Sequence, residues 1–204
     1  MKRRVPKGLG FLEVIIALSV MIVGVTTGIT LTTYNLANVV VAENQVLATG
    51  LSREPIELIR ALRDSNWLSG TDWHSGIDPS SNYVMFQYFD EKNSVWKLKW
   101  VQESDLENCE RCNVIYNPDK KMYLQNIDEN DQPISGATLT GYRRWTRVKN
   151  ICWDSGNQKQ YIPDYSQSCE GNPMIGWRLT TDVSWYDSQN KKTLTVSEDI
   201  YDWR

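Results

Sequence analysis

The chain is poor in the residues that most enzymes need. There is a single histidine among 204 residues, His74, in a polar stretch without a cysteine or serine motif beside it. That argues against a histidine-dependent hydrolytic triad and a histidine-rich metal site. No glycine-rich phosphate loop, internal repeat or low-complexity tract occurs. Of four cysteines, only Cys109 and Cys112 form a C-x-x-C pair, while Cys152 and Cys169 stand seventeen positions apart, which fits a four-thiolate zinc site poorly. The chain therefore reads as non-enzymatic, with no cofactor.

Charge is missing where the chain is most apolar. From Leu9 to Ala42 the one charged side chain is Glu13. About 20 apolar residues at 1.5 Å each span a bilayer, so this run is long enough to cross one. An acid at the centre of such a helix costs about 3 kcal/mol, and less near an edge, so Glu13 asks for a partner. Cleavage after Gly8 would supply it: the new α-amino group on Leu9 is positive, and Glu13 becomes the fifth residue. Lys2, Arg3, Arg4 and Lys7 precede the run with no acid among them, which places this end in the cytoplasm and sends the rest outward. Without them the chain has 18 basic residues against 25 acidic ones, a surplus that argues against nucleic-acid binding. An ordinary secretory signal explains the stretch less well, because the acid lies inside the apolar core and no Ala-x-Ala follows. A plain membrane anchor leaves Gly8 and Glu13 unexplained.

The stretch Lys7-Gly8-Leu9-Gly10-Phe11-Leu12-Glu13-Val14-Ile15-Ile16-Ala17-Leu18 resembles the class III signal of type IV prepilins and pseudopilins. Lys7, Gly8, Leu9 and Glu13 match that pattern position for position. The departures are Leu9, where Phe or Met is usual, and Gly10, where Thr or Ser is common. Arg53-Glu54-x-Ile56-Glu57 and Arg60-x-x-Arg63-Asp64-x-Asn66-Trp67 are similar to the end of the long helix in one group of minor pilins. The resemblance implies a prepilin peptidase that cleaves after Gly8 and methylates Leu9, and an inner-membrane platform that draws subunits into a fibre. It also implies membrane lipid as the partner before assembly and other pilins afterwards. Glu13 would be the assembly residue, and the head would end outside the cytoplasmic membrane on a pilus or pseudopilus. A second hypothesis is a singly anchored adhesin or carbohydrate-binding module.

The expected fold is α+β and pilin-like, a long N-terminal helix packed on an antiparallel sheet. The expected segments are a leader over 1–8, a transmembrane or filament-core helix over 9–32, an amphipathic extension over 33–66 and a β-rich head over 67–204. Between Gly24 and Thr33, two glycines and five threonines interrupt Val and Ile, giving a weak helix in water that lipid would enforce. Those threonines either loosen the helix on assembly or bond back to its backbone. Leu36, Val40, Leu47, Leu51, Leu58 and Leu62 recur in an eleven-residue pattern that predicts one stripe. Pro55 cannot donate to the Leu51 carbonyl, which predicts a kink or a fresh start near Gly50 to Ser52, with Ser52 as cap.

Beyond Trp67, residues Ser69 to Asn82 read as a polar loop. Strands are predicted at Tyr83 to Phe89, Val95 to Gln102, Val114 to Tyr116, Met122 to Asn126, Thr138 to Ile151, Trp177 to Tyr186 and Lys192 to Ile200. Trp96, Leu98 and Trp100 alternate with lysines, and Trp177, Leu179, Val183 and Trp185 take the core side of their strand. Cys109, Cys112, Cys152 and Cys169 suggest two local disulfides, although four cysteines allow three connectivities. Stapling the sixteen residues between Cys152 and Cys169 would contribute about 3 kcal/mol. Asp128-Glu129-Asn130-Asp131 resembles the start of a calcium loop, but Gln132 and Pro133 break the ligand pattern and favour a solvated turn. Trp73, Trp153 and Tyr165, in predicted loops, are candidates for an adhesive surface.

Overall fold

The computed structural model describes residues 10–77, 83–90, 92–102, 106, 108–130, 132–134, 136, 138–163, 168–187 and 190–202. It is an α+β layout: one helix, α1 (Phe11–Ser69), followed by an antiparallel sheet. The strands are β1 (Tyr83–Asp90), β2 (Val95–Gln102), β3 (Asn113–Asn117), β4 (Met122–Gln125), β5 (Leu139–Asp154), β6 (Lys159–Tyr161), β7 (Met174–Asp187) and β8 (Asn190–Tyr201). The chain divides into two compact units, Met1–Asn44 and Gln45–Arg204.

Within the second unit, the sixteen-residue β5 is the hub of the sheet. One edge pairs with β7 from Arg143 to Cys152, and β7 carries β8 beyond it. The other edge meets β3, β1 and β6 in turn. Alternation along β7 buries Trp177, Leu179, Val183 and Trp185 against α1, as the period of two requires. Leu98 and Trp100 of β2 join the same layer, with Ile56 and Ile59 of α1 at its centre. The opposite face has its own smaller core of Val84, Phe86, Tyr88, Val101, Cys112, Ile127 and Trp145.

Helix α1 departs from expectation in two ways. No fresh start occurs at Gly50 to Ser52, because the helix is continuous through Pro55 and the Ser52 hydroxyl donates to the Thr49 carbonyl at 2.8 Å instead of capping. The Leu51 carbonyl, which Pro55 leaves without its helical donor, accepts instead from Nη1 of Arg144 on β5 at 3.1 Å. The same nitrogen meets Glu54 at 2.6 Å, and Arg144 Nε donates to Gln125. The buried ridge is Ala48, Leu51, Ser52, Pro55, Ile56, Ile59 and Arg63, so it follows the 3.6-residue period and leaves Leu58 on its flank. Leu36 and Val40, from the same expected stripe, are exposed.

The helix ends in a Schellman motif: Gly70 takes φ +71°, its N–H donates to Trp67, and the Thr71 N–H donates to Asn66. The following segment is no surface loop throughout. Trp73 is 9% exposed and stacks 4.2 Å from Trp177, and Ile77 is buried beside it. This corrects the reading of Trp73 as an adhesive residue: its polar neighbours disguised a core side chain. Three hairpins share one turn design. Asp90, Asn117 and Asp154 each accept backbone N–H bonds across a four-residue loop, whose last residue, Ser94, Lys121 or Gln158, takes a positive φ.

Candidate functional site

The first unit carries the strongest sequence signal. Gly8 and Leu9 lie outside the described residues. Glu13 sits in the first turn of α1, its N–H donating to the Gly10 carbonyl at 2.9 Å. Among the described residues no basic side chain meets its carboxylate. Around it the large apolar side chains from Phe11 to Val41 are all exposed, between 40% and 83%. The helix is long and apolar enough to cross a membrane, and none of its apolar window is buried within the chain.

The threonine stretch resolves chemically. Thr26, Thr27, Thr30, Thr32 and Thr33 each donate to a carbonyl three or four residues back, at 2.7 to 3.2 Å. Every hydroxyl is thereby satisfied without water or a neighbour, which suits an apolar surrounding. Gly24 and Gly28 meet nothing within 4 Å where a Cβ would stand. Among the described residues no contact explains two glycines that each cost a helix about 1 kcal/mol.

In the second unit the four cysteines form the two local disulfides, Cys109–Cys112 and Cys152–Cys169, with Cα separations of 5.3 and 5.5 Å. The Asp128 carboxylate accepts the N–H groups of Asn130 and Gln132, both at 2.8 Å, and closes its own turn. Those bonds hold its pKa below the usual carboxylate value, the bond from Gln132 contributing most. Asp131 lies outside the described residues, and among those described no group of three or more His, Cys, Asp or Glu side chains is placed to hold a metal ion. Trp153 lies in β5 and is 37% exposed, and Tyr165 is outside the described residues.

Two charged positions on the sheet were not singled out by sequence reasoning. Asp90 is 6% exposed and lies 2.5 Å from the Lys97 ammonium, with Asn93 Nδ2 at 2.8 Å. Lys97 first, then Asn93, hold its carboxyl well below the usual range. Arg144, 1% exposed, ties β5 to α1 as described above. The alternation of β5 could have marked Arg144 as inward-facing, but nothing in the sequence names its partner.

Comparison of the chain with family models, with curated proteins and with solved structures finds no match. The function therefore rests on the residues themselves.

Proposed function

We propose that this protein is a minor pilin or pseudopilin, a structural subunit that sits in the cytoplasmic membrane and is then drawn into a type IV pilus or secretion-type fibre. The observation that carries the reading is the lone Glu13 at the head of an uncharged, exposed apolar helix, behind a basic leader that ends in Gly8. Cleavage after Gly8 makes Leu9 the terminus and puts a positive amine four residues from Glu13. In a bundle of such helices, Glu13 of one subunit neutralises the amine of its neighbour. An unpaired charge left in that apolar setting costs several kcal/mol, so the pairing fixes the stagger between subunits.

Three further features support the reading. The satisfied threonine hydroxyls allow the helix to pass from lipid to a bundle without exposing a polar group. Gly24 and Gly28, which meet none of the described residues where a Cβ would stand, leave room for a helix packed closely alongside. The disulfides suit a head outside the cytoplasm.

The test is Glu13→Ala in cells that make the fibre. Membrane insertion and leader removal should be unaffected, while incorporation into sheared fibres falls to background on immunoblot. Normal incorporation of the variant would refute the pairing.

A further inference from the structure

The two disulfides of the second unit occupy opposite surroundings. Cys152 and Cys169 are 0% and 8% exposed, so that bond is closed to solvent on both sides. Cys112 is equally buried, but its partner Cys109 is only half-buried and opens on a cleft of about 230 Å3 between Val84, Phe86, Val101, Leu106 and Pro133. Thiol–disulfide exchange requires a thiolate to reach one sulfur of the bond. In this pair only Cys109 offers that approach.

The C-x-x-C turn also holds its shape without the S–S bond. The Arg111 carbonyl accepts from Gln125 Nε2 at 2.7 Å, and the Glu110 carbonyl accepts from Asn126 Nδ2 at 3.2 Å. The Cys109 carbonyl accepts from an Arg143 guanidinium nitrogen at 3.3 Å and from the Cys112 N–H at 3.2 Å. Opening the bond therefore leaves both sulfurs on a turn anchored by β4 and β5, in place for reclosure. The Cys112 N–H also lies 3.1 Å from Cys109 Sγ, where it stabilises negative charge on that sulfur.

We propose that Cys109–Cys112 is an exchangeable disulfide, attacked at Cys109 by an external thiolate, whereas Cys152–Cys169 is a permanent staple. The proposal does not rest on the fibre reading. The incoming sulfur bonds to Cys109 Sγ as the Cys109–Cys112 bond breaks, and the electron pair leaves on Cys112 Sγ, which takes a proton. A second thiolate then attacks the incoming sulfur and releases Cys109 as a thiolate, which is protonated in turn. Two external thiols are thereby oxidised to a disulfide, and this pair is reduced by two electrons. The attacking chemistry is the same whether the thiolate belongs to a small monothiol or to a protein dithiol.

The experiment uses the folded full-length chain in detergent micelles, with glutathione in one arm and a reduced C-x-x-C dithiol protein in the other. Samples are acid-quenched and alkylated, and the sites are mapped by mass spectrometry. Cys109–Cys112 should open about tenfold or more faster than Cys152–Cys169, with tryptophan fluorescence unchanged and the glutathione adduct on Cys109. In Cys112→Ser, where Cys109 is a free thiol, glutathione disulfide in place of glutathione should place the same adduct on Cys109, its other half leaving as the thiolate, and mapping on the unsubstituted chain decides the matter if the variant fails to fold. Reaction in the glutathione arm alone assigns the source as a small thiol, and faster opening by the dithiol protein assigns it as a protein. The two bonds opening together, an adduct on Cys112, or no reaction in either arm before unfolding would overturn the proposal.

Discussion

Helix α1 carries two apolar stretches with opposite fates. From Phe11 to Val46 its large side chains stand exposed, whereas Leu51, Ile56 and Ile59 pack into the sheet and are joined by buried Ala48, Ser52, Pro55 and Arg63. The later stretch can include a proline because the head supplies what the helix loses: Arg144 reaches the carbonyl that Pro55 abandons. In the earlier stretch each threonine satisfies itself, and nothing in the second unit is needed for it. The difference teaches where each half gets its stability. The later stretch draws on contacts within this chain, and under the proposed function the earlier one draws on lipid or neighbouring subunits.

Substitutions on either side of Asn44 sharpen that contrast. Ile59→Ala removes a side chain with no exposure from the centre of the core and should lower head stability by about 4 kcal/mol in chemical denaturation. Ile22→Ala, the same change on an exposed helix face, should leave that transition unmoved. Equal losses at the two positions would break the comparison.

Arg144→Met should cost about 3 kcal/mol by the same measurement, because it strands the Leu51 carbonyl and removes the partner of Glu54. Adding Pro55→Ala restores a backbone donor for that carbonyl, so the double variant should recover part of the loss. A double variant no more stable than Arg144→Met alone would show that the carbonyl bond carries no weight.

The smallest effect expected is at Asp90. Its carboxyl titrates below the unfolded value, so its stabilisation is present above about pH 4 and is lost as pH falls through the folded pKa. Asp90→Asn should therefore lower Tm at pH 7, and the gap should narrow once the pH drops below about 4. A gap that stays constant into strong acid would contradict the Lys97 pairing.

Much of this was legible in the sequence because it depends on near neighbours. Alternation marked Trp177, Leu179 and Val183 as inward-facing. The short spacings within the cysteine pairs favoured the disulfides that the structure shows. Contacts over long separations were not legible. Pro55 and Arg144 are 89 positions apart in the sequence, so a local rule predicted a fresh helix start where a distant guanidinium makes one unnecessary. Trp73 was misplaced for a similar reason, since its partner Trp177 lies more than a hundred residues away. The positive φ at Ser94, Lys121 and Gln158 gave no sign either, because glycine would have announced it and these residues do not. At the N-terminus the relation is reversed: the motif at Gly8, Leu9 and Glu13 is local in the sequence, and the role proposed for it involves partners outside this chain.

The proposed function is tested most directly by where the mature protein begins, which intact-mass and N-terminal peptide mass spectrometry of chain purified from envelopes or sheared filaments reads. A first residue of Leu9 bearing one added methyl group is the predicted result. A chain that starts at Met1, or at any residue other than Leu9, would contradict it.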